Sequence, residues 1–218
     1  MTTPTRPRTH RLLLLAALLS LTGCFSLGRE ATPQQHYVLG TVGLATPTVD
    51  SPLELPSGLV IGIRSPRLAD YLATRFIVIR RGTHAVEFSD YHRWGEELGR
   101  GINRMVATQL ATRAPHHRVE AAPWPAGTAP DVLVQVDILR FEGVAEGDPV
   151  TGGAEVHLLA TWEILRPTDG AILARGTTEV REGGWSVGDF DGLVRLLSAA
   201  LEVLAEDLAL NLERIAVP

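Results

Sequence analysis

Gly184-Trp185-Ser186-Val187-Gly188 matches G-x-S-x-G, the turn that presents a nucleophilic serine at the end of a strand in many hydrolases. Such a serine needs a base, because an un-ionised hydroxyl is a weak nucleophile at neutral pH. In the hydrolase order the histidine follows the serine. Here the last histidine is His157, and none follows Ser186. The preceding "GTTEVREGG" alternates with charge, unlike the buried central strand that carries a nucleophile. The pentapeptide reads as a glycine-rich turn before a final helix.

The remaining chemistry-bearing residues form no constellation. His84, His92, His116, His117 and His157 show neither H-x-x-x-H nor H-E-x-x-H spacing, and one cysteine cannot build a thiolate site, so no metal site is expected. His116-His117, beside Pro115, reads as an exposed loop. A phosphate-cradling G-x-x-x-x-G-K-[ST] is ruled out because the chain has no lysine, and no G-x-G-x-x-G follows a strand. No two carboxylates stand out as an acid and base pair. The expectation is a binding or structural role without catalytic residues, metal or cofactor.

The single cysteine, Cys24, lies at the foot of a short apolar run. Leu12–Leu19 is eight unbroken apolar residues, preceded by Arg6, Arg8 and Arg11, with no acidic residue before Glu30. A basic segment, a short apolar segment and small residues at the exit make a secretory signal peptide. Because a spanning helix needs about 20 apolar residues, this run is too short to serve as one. It ends in Leu21-Thr22-Gly23-Cys24, which resembles the bacterial lipobox. That resemblance implies diacylglycerol on the Cys24 sulfur, cleavage between Gly23 and Cys24, and acylation (palmitate) of the new amino terminus. One chain binds a membrane marginally and two bind stably, at roughly 0.8 kcal/mol per buried CH₂. The alternative is a buried thiol just past an ordinary cleavage site.

Residues 1–23 are thus read as a signal peptide, 24–35 as a lipidated tether, and 36–218 as a single periplasmic domain. With its only thiol acylated, that domain has no disulfide and must rely on its core. The chain is 45% hydrophobic and 21% charged, which is globular rather than disordered composition. Removing Arg6, Arg8 and Arg11 takes the formal charge from −5 to about −8, so nucleic acid is not an expected partner.

Apolar spacing gives the elements. "HYVLG" (36–40), "LVIGIR" (59–64), "RFIVIRR" (75–81) and "THAVEF" (83–88) read as strands, the last two as a hairpin at Gly82. Ser89 and Asp90 are candidate caps for a helix from about Tyr91 to Arg113, which Pro115 ends. Its stripe is Trp94, Leu98, Ile102, Met105, Val106, Gln109 and Leu110. Three longer strands follow at 131–143, 153–165 and 171–180, with links too short for crossovers and therefore antiparallel. Phe190, Val194, Leu197, Leu201, Leu204, Leu208, Leu212 and Ile215 stripe a final helix. The expected fold is α+β: a two-layer sandwich of a mostly antiparallel sheet of five to six strands with two long amphipathic helices.

A lipobox, then "YVL", then "SPRLADYLATRFIVIR", then "HRWGEEL" opening a helix, resembles the PqiC/YmbA-type ABC-type transport auxiliary lipoproteins. Tyr71, Leu72 and Arg75 match the segment before that family's apolar strand, and Arg93, Trp94, Glu96 and Leu98 match its "RWAEPL"-like segment. Gly95 and Glu97 depart from the alanine and proline expected there. The resemblance spans about residues 36 to 213. The same residues would also serve as ordinary structural ones. It implies an adaptor on the periplasmic face of the outer membrane, whose partners are an MCE-domain protein and an ABC permease moving lipid between membranes. A homo-oligomer stays open. Phe25 after the cysteine, rather than aspartate, agrees with outer-membrane sorting. Two other readings remain: a shuttle holding an acyl chain between sheet and helices, and an esterase using Ser186.

Cys24→Ala removes the acyl acceptor. The variant is expected to accumulate as unprocessed precursor and to take up no label from a fatty-acid analogue fed to cells; a labelled mutant protein would refute the anchor.

Overall fold

A computed structural model describes residues 33–40, 58–145 and 154–216. The signal peptide, Gly23 and Cys24 lie outside the described residues. The described residues from Gln34 onward cluster as one compact unit. In chain order the elements are β1 (Gln35–Tyr37), β2 (Val60–Ile63), β3 (Arg67–Leu68), a 3₁₀ turn (Asp70–Leu72), β4 (Phe76–Arg81), β5 (Ala85–Trp94) and α1 (Leu98–Arg113). They continue with β6 (Arg118–Ala121), β7 (Val132–Ala145), β8 (Ala154–Leu165), β9 (Ile172–Gly183) and α2 (Phe190–Ala216).

The α+β class holds, but the sheet is larger than expected. Nine strands join it among the described residues. Pairing is antiparallel through β4–β5 and through β7–β8–β9. It is parallel where β1 meets β5, where β2 meets β6, and where β2, β3 and β4 meet β7. Two strands escape the sequence reading because they are short and charged, β3 beginning at Arg67 and β6 carrying Arg118 and Glu120.

Strand β7 organises the sheet. Val132, Val134, Val136 and Ile138 are buried, as their alternation requires. At Leu139 the register slips by one residue, a β-bulge that leaves Leu139 exposed and changes the phase of the strand. Phe141 and Gly143 then face the core. Across the ladder the buried partners stay in step: Val134 with Ile164, Val136 with Trp162, Ile138 with Ala160, Phe141 with Leu158. Gly143 is required where it stands, since a Cβ there would lie 2.7 Å from Trp185 Cζ2.

Both helices lie on one side of the sheet. α2 packs on β7, β8 and β9, and α1 packs on α2 and β6. The final stripe is buried as read, with Leu197, Leu201, Leu204, Leu208 and Leu212 all fully covered and Ile215 packed against the core. Asp189 caps α2 by accepting from the Gly192 amide (2.9 Å). Among the described residues no helix is long and apolar enough to cross a membrane.

The first helix starts later than its periodicity suggests. Residues 89–94 are strand, not helix, because their backbone is claimed from both sides. Gln35–Tyr37 pairs with His92–Trp94, and the Trp94 amide donates to the Arg75 carbonyl (2.7 Å). Trp94 is buried as the stripe required, but from the end of β5, where its ring lies 6.2 Å from that of Phe141. Ser89 does accept an amide, from His92 (3.2 Å), as a cap would. It makes that bond inside the strand. Gln109, placed on the apolar stripe, is only partly buried and bonds Glu202 of α2 (3.4 Å).

Leu201→Ala and Leu204→Ala each remove a fully buried side chain from a filled core. Each is expected to cost about 2–5 kcal/mol, read as a lowered midpoint in thermal or denaturant melts.

Candidate functional site

The two segments singled out in the sequence, Tyr71–Arg75 and Arg93–Leu98, meet because β4 turns back into β5 at Gly82, whose φ of +66° suits a glycine. Phe76 stands directly opposite Arg93 in the ladder. Around this junction opens a cleft of about 1030 Å³. Leu72, Arg75 and Phe76 line one side, and Arg93, Trp94 and Glu96 the other. Leu98, the first residue of α1, also lines it and is 3% exposed. Leu68 and His36 also reach the cleft. Neither was singled out in the sequence, since two- and three-residue strands leave no periodic signal.

The Arg93 guanidinium lies over the Phe76 ring, 4.9 Å from its centroid. Its Nε is buried and has no hydrogen-bond partner among the described residues. Glu96 is held by Arg104 of α1 (2.6 Å), and Glu97 lies 3.7 Å from Arg100. Gly95, where the family pattern has alanine, donates its amide to the Tyr37 carbonyl (2.7 Å). A Cβ there would come 3.2 Å from Val38 Cγ1.

Tyr71 faces a different group. Its hydroxyl donates to the Leu139 carbonyl at the β7 bulge (3.2 Å). Arg80 lies over its ring at 5.6 Å and binds the fully buried Glu142 through Nε (2.5 Å). Burial, then the nearby Glu142 carboxylate, push the Tyr71 hydroxyl up to about 12. As a protonated donor, Tyr71 ties the 3₁₀ turn to the β7 bulge. The Arg80–Glu142 pair left no sequence signal: Glu142 reads there as one polar residue in an apolar strand.

Ser186 lies on the turn between β9 and α2, exposed, with Gly184 and Gly188 at φ of +98° and +100°. No described residue other than glycine has a positive φ, so Ser186 lacks the strained backbone of a nucleophile elbow. Trp185, beside it, is buried against Gly143. His157 is buried and its Nε2 bonds Glu179 Oε1 (3.0 Å). Burial is the main cause of its lowered pKa. His92 stacks on Phe190 at 3.7 Å, and burial lowers its pKa as well. His117 is a correction: it is 5% exposed rather than on an open loop. Its Nδ1 accepts from the Leu59 amide (3.0 Å), because β2 runs alongside β6 and covers it. Among the described residues no three His, Cys, Asp or Glu side chains group to hold a metal.

Comparison with known proteins follows the same residues. A family model described as "ABC-type transport auxiliary lipoprotein component" matches residues 37–209. No curated protein matches. Among solved structures, an uncharacterized protein aligns with a TM-score of 0.63 at 15% identity, covering 82% of this chain and 97% of its own. A protein from Xanthomonas campestris aligns with a TM-score of 0.61 at 15% identity, covering 82% and 93%. These likenesses carry the fold. Because the family model spans most of the sequence, including both segments that build the cleft, the chain belongs to the ABC-type transport auxiliary lipoproteins.

Proposed function

We propose that this lipoprotein is a non-enzymatic adaptor of an MCE-type ABC system that moves lipid between the inner and outer membranes. It is anchored by acyl chains on Cys24 to the periplasmic face of the outer membrane. Its partners are the MCE-domain protein and the permease. One observation carries the reading: Leu72, Arg75, Arg93, Trp94 and Glu96, from two segments separate in sequence, line one open cleft, while Tyr71 turns to Arg80 and the β7 bulge.

The shuttle alternative needs room for an acyl chain between sheet and helices. That space is filled. Ile61, Phe141, Leu158 and Leu197, from both layers, are each 2% exposed or less. The open cleft lies at the junction of β4, β5 and α1, where a second molecule reaches it without the core opening.

A photo-crosslinking residue at Glu97, on the cleft mouth, is expected to capture the MCE-domain protein in living cells. The same residue at Leu210, exposed on α2, should not. Equal capture at both positions, or none at Glu97, would remove the adaptor reading. The purified lipoprotein and its Ser186→Ala variant should both leave short acyl esters intact. A true nucleophile contributes several orders of magnitude in rate, so hydrolysis that vanishes with Ser186 would establish the esterase instead.

A further inference from the structure

The two arginines and two glutamates lining the cleft are not paired with one another. Glu96 and Glu97 are answered by Arg104 and Arg100, which stand on α1 outside the cleft lining. Arg75 and Arg93 have no carboxylate within 4.0 Å among the described residues, although ten other arginines do. Arg93 is also half withdrawn from water, seated on Phe76, with its buried Nε unmet. A buried donor without an acceptor is costly, and a guanidinium fork is completed best by a planar or tetrahedral oxyanion. The walls between these groups are apolar, from Leu68, Leu72, Phe76 and Trp94. A volume of about 1030 Å³ is far more than an inorganic anion fills.

Resting on the transport reading above, we propose that the cleft binds one phospholipid by its headgroup. The phosphodiester sits on Arg75 and Arg93, and the first part of the acyl chains lies along Leu68, Leu72 and Phe76. At the mouth, the Glu97 carboxylate is 70% exposed, and its 3.7 Å pair with Arg100 is exposed on both sides and open to exchange for an ammonium. An anion site beside a carboxylate fits the zwitterionic ethanolamine headgroup.

Trp94 lines the cleft and serves as the reporter. The full-length lipoprotein, held in dodecyl maltoside, is titrated with phosphatidylethanolamine brominated in one chain. Saturable quenching is expected, absent in Trp94→Phe. It should weaken by at least about tenfold in the Arg75→Gln/Arg93→Gln variant, corresponding to about 1.4 kcal/mol. Arg93→Lys, which keeps the charge, should restore part of it. Glu97→Gln should erase the preference over phosphatidylglycerol. Undiminished quenching in the double variant, or equal quenching by brominated diacylglycerol, would overturn the proposal. Displacement by millimolar inorganic phosphate would do so too, by identifying a free-anion site. A Tm lowered in the double variant along with lost quenching would assign both arginines to the fold. No quenching in the unsubstituted lipoprotein, while Glu97 still crosslinks to the MCE-domain protein, sinks the lipid site alone; the converse result keeps the lipid site and sinks the partner.

Discussion

A β-strand has only two hydrogen-bonding edges, and β7 serves four other strands with them. Its fourteen residues are long enough to do so. β8 runs along one edge from Leu133 to Ala145. On the other edge β2 takes Val132–Val134, β3 takes Asp137–Ile138 and β4 takes Gly143–Ala145, end to end. Between β3 and β4, at residues 139–142 of β7, no strand pairs with that edge among the described residues. The Tyr71 hydroxyl fills that gap by bonding the Leu139 carbonyl. The 3₁₀ turn at Asp70–Leu72 exists at the place where the chain leaves β7 and must come back to it.

The cleft follows from the same detour. To rejoin the sheet as β4, residues 73–75 pass over the end of β5, and Arg75 hands its carbonyl to Trp94. That bond brings two arginines to one opening, from positions that are distant in the chain. The buried Arg80–Glu142 pair joins β4 to β7 further along the same strand. Such a pair contributes little net stability, because desolvation offsets the attraction, but neither member can be removed alone without stranding the other. It fixes how β4 sits on β7, and so where Arg75 and Phe76 begin.

Much of this was legible in the sequence. The last helix, the antiparallel run of β7, β8 and β9, and the hairpin at Gly82 follow from periodicity and turn chemistry, and all are found. Trp94 shows the limit. Its spacing to Leu98 and Ile102 is helical, yet pairing with β1 and Arg75 outweighs local periodicity, so the helix begins at Leu98. Charged two- and four-residue strands such as β3 and β6 carry no pattern at all; they are strands because β7 and β2 offer them an edge. The cleft was half legible. Arg75, Arg93 and Trp94 stood out through family resemblance, but that Leu68 and His36 join them is a matter of topology, which short motifs do not encode.

β9 ends the sheet, with β8 on one side and no strand on the other among the described residues. Its twelve residues would template a further strand if they were flat and apolar. Instead Arg175, Glu179, Arg181 and Glu182 stud it, and Gly176 admits the Trp162 ring so closely that a Cβ would meet it at 2.3 Å. A protein tethered by lipid is confined to a surface, where copies meet far more often than in bulk solution. On such a surface a bare strand edge would invite chains to zip together laterally. Charges along an unpaired edge oppose such zipping wherever copies of a chain are crowded onto a surface.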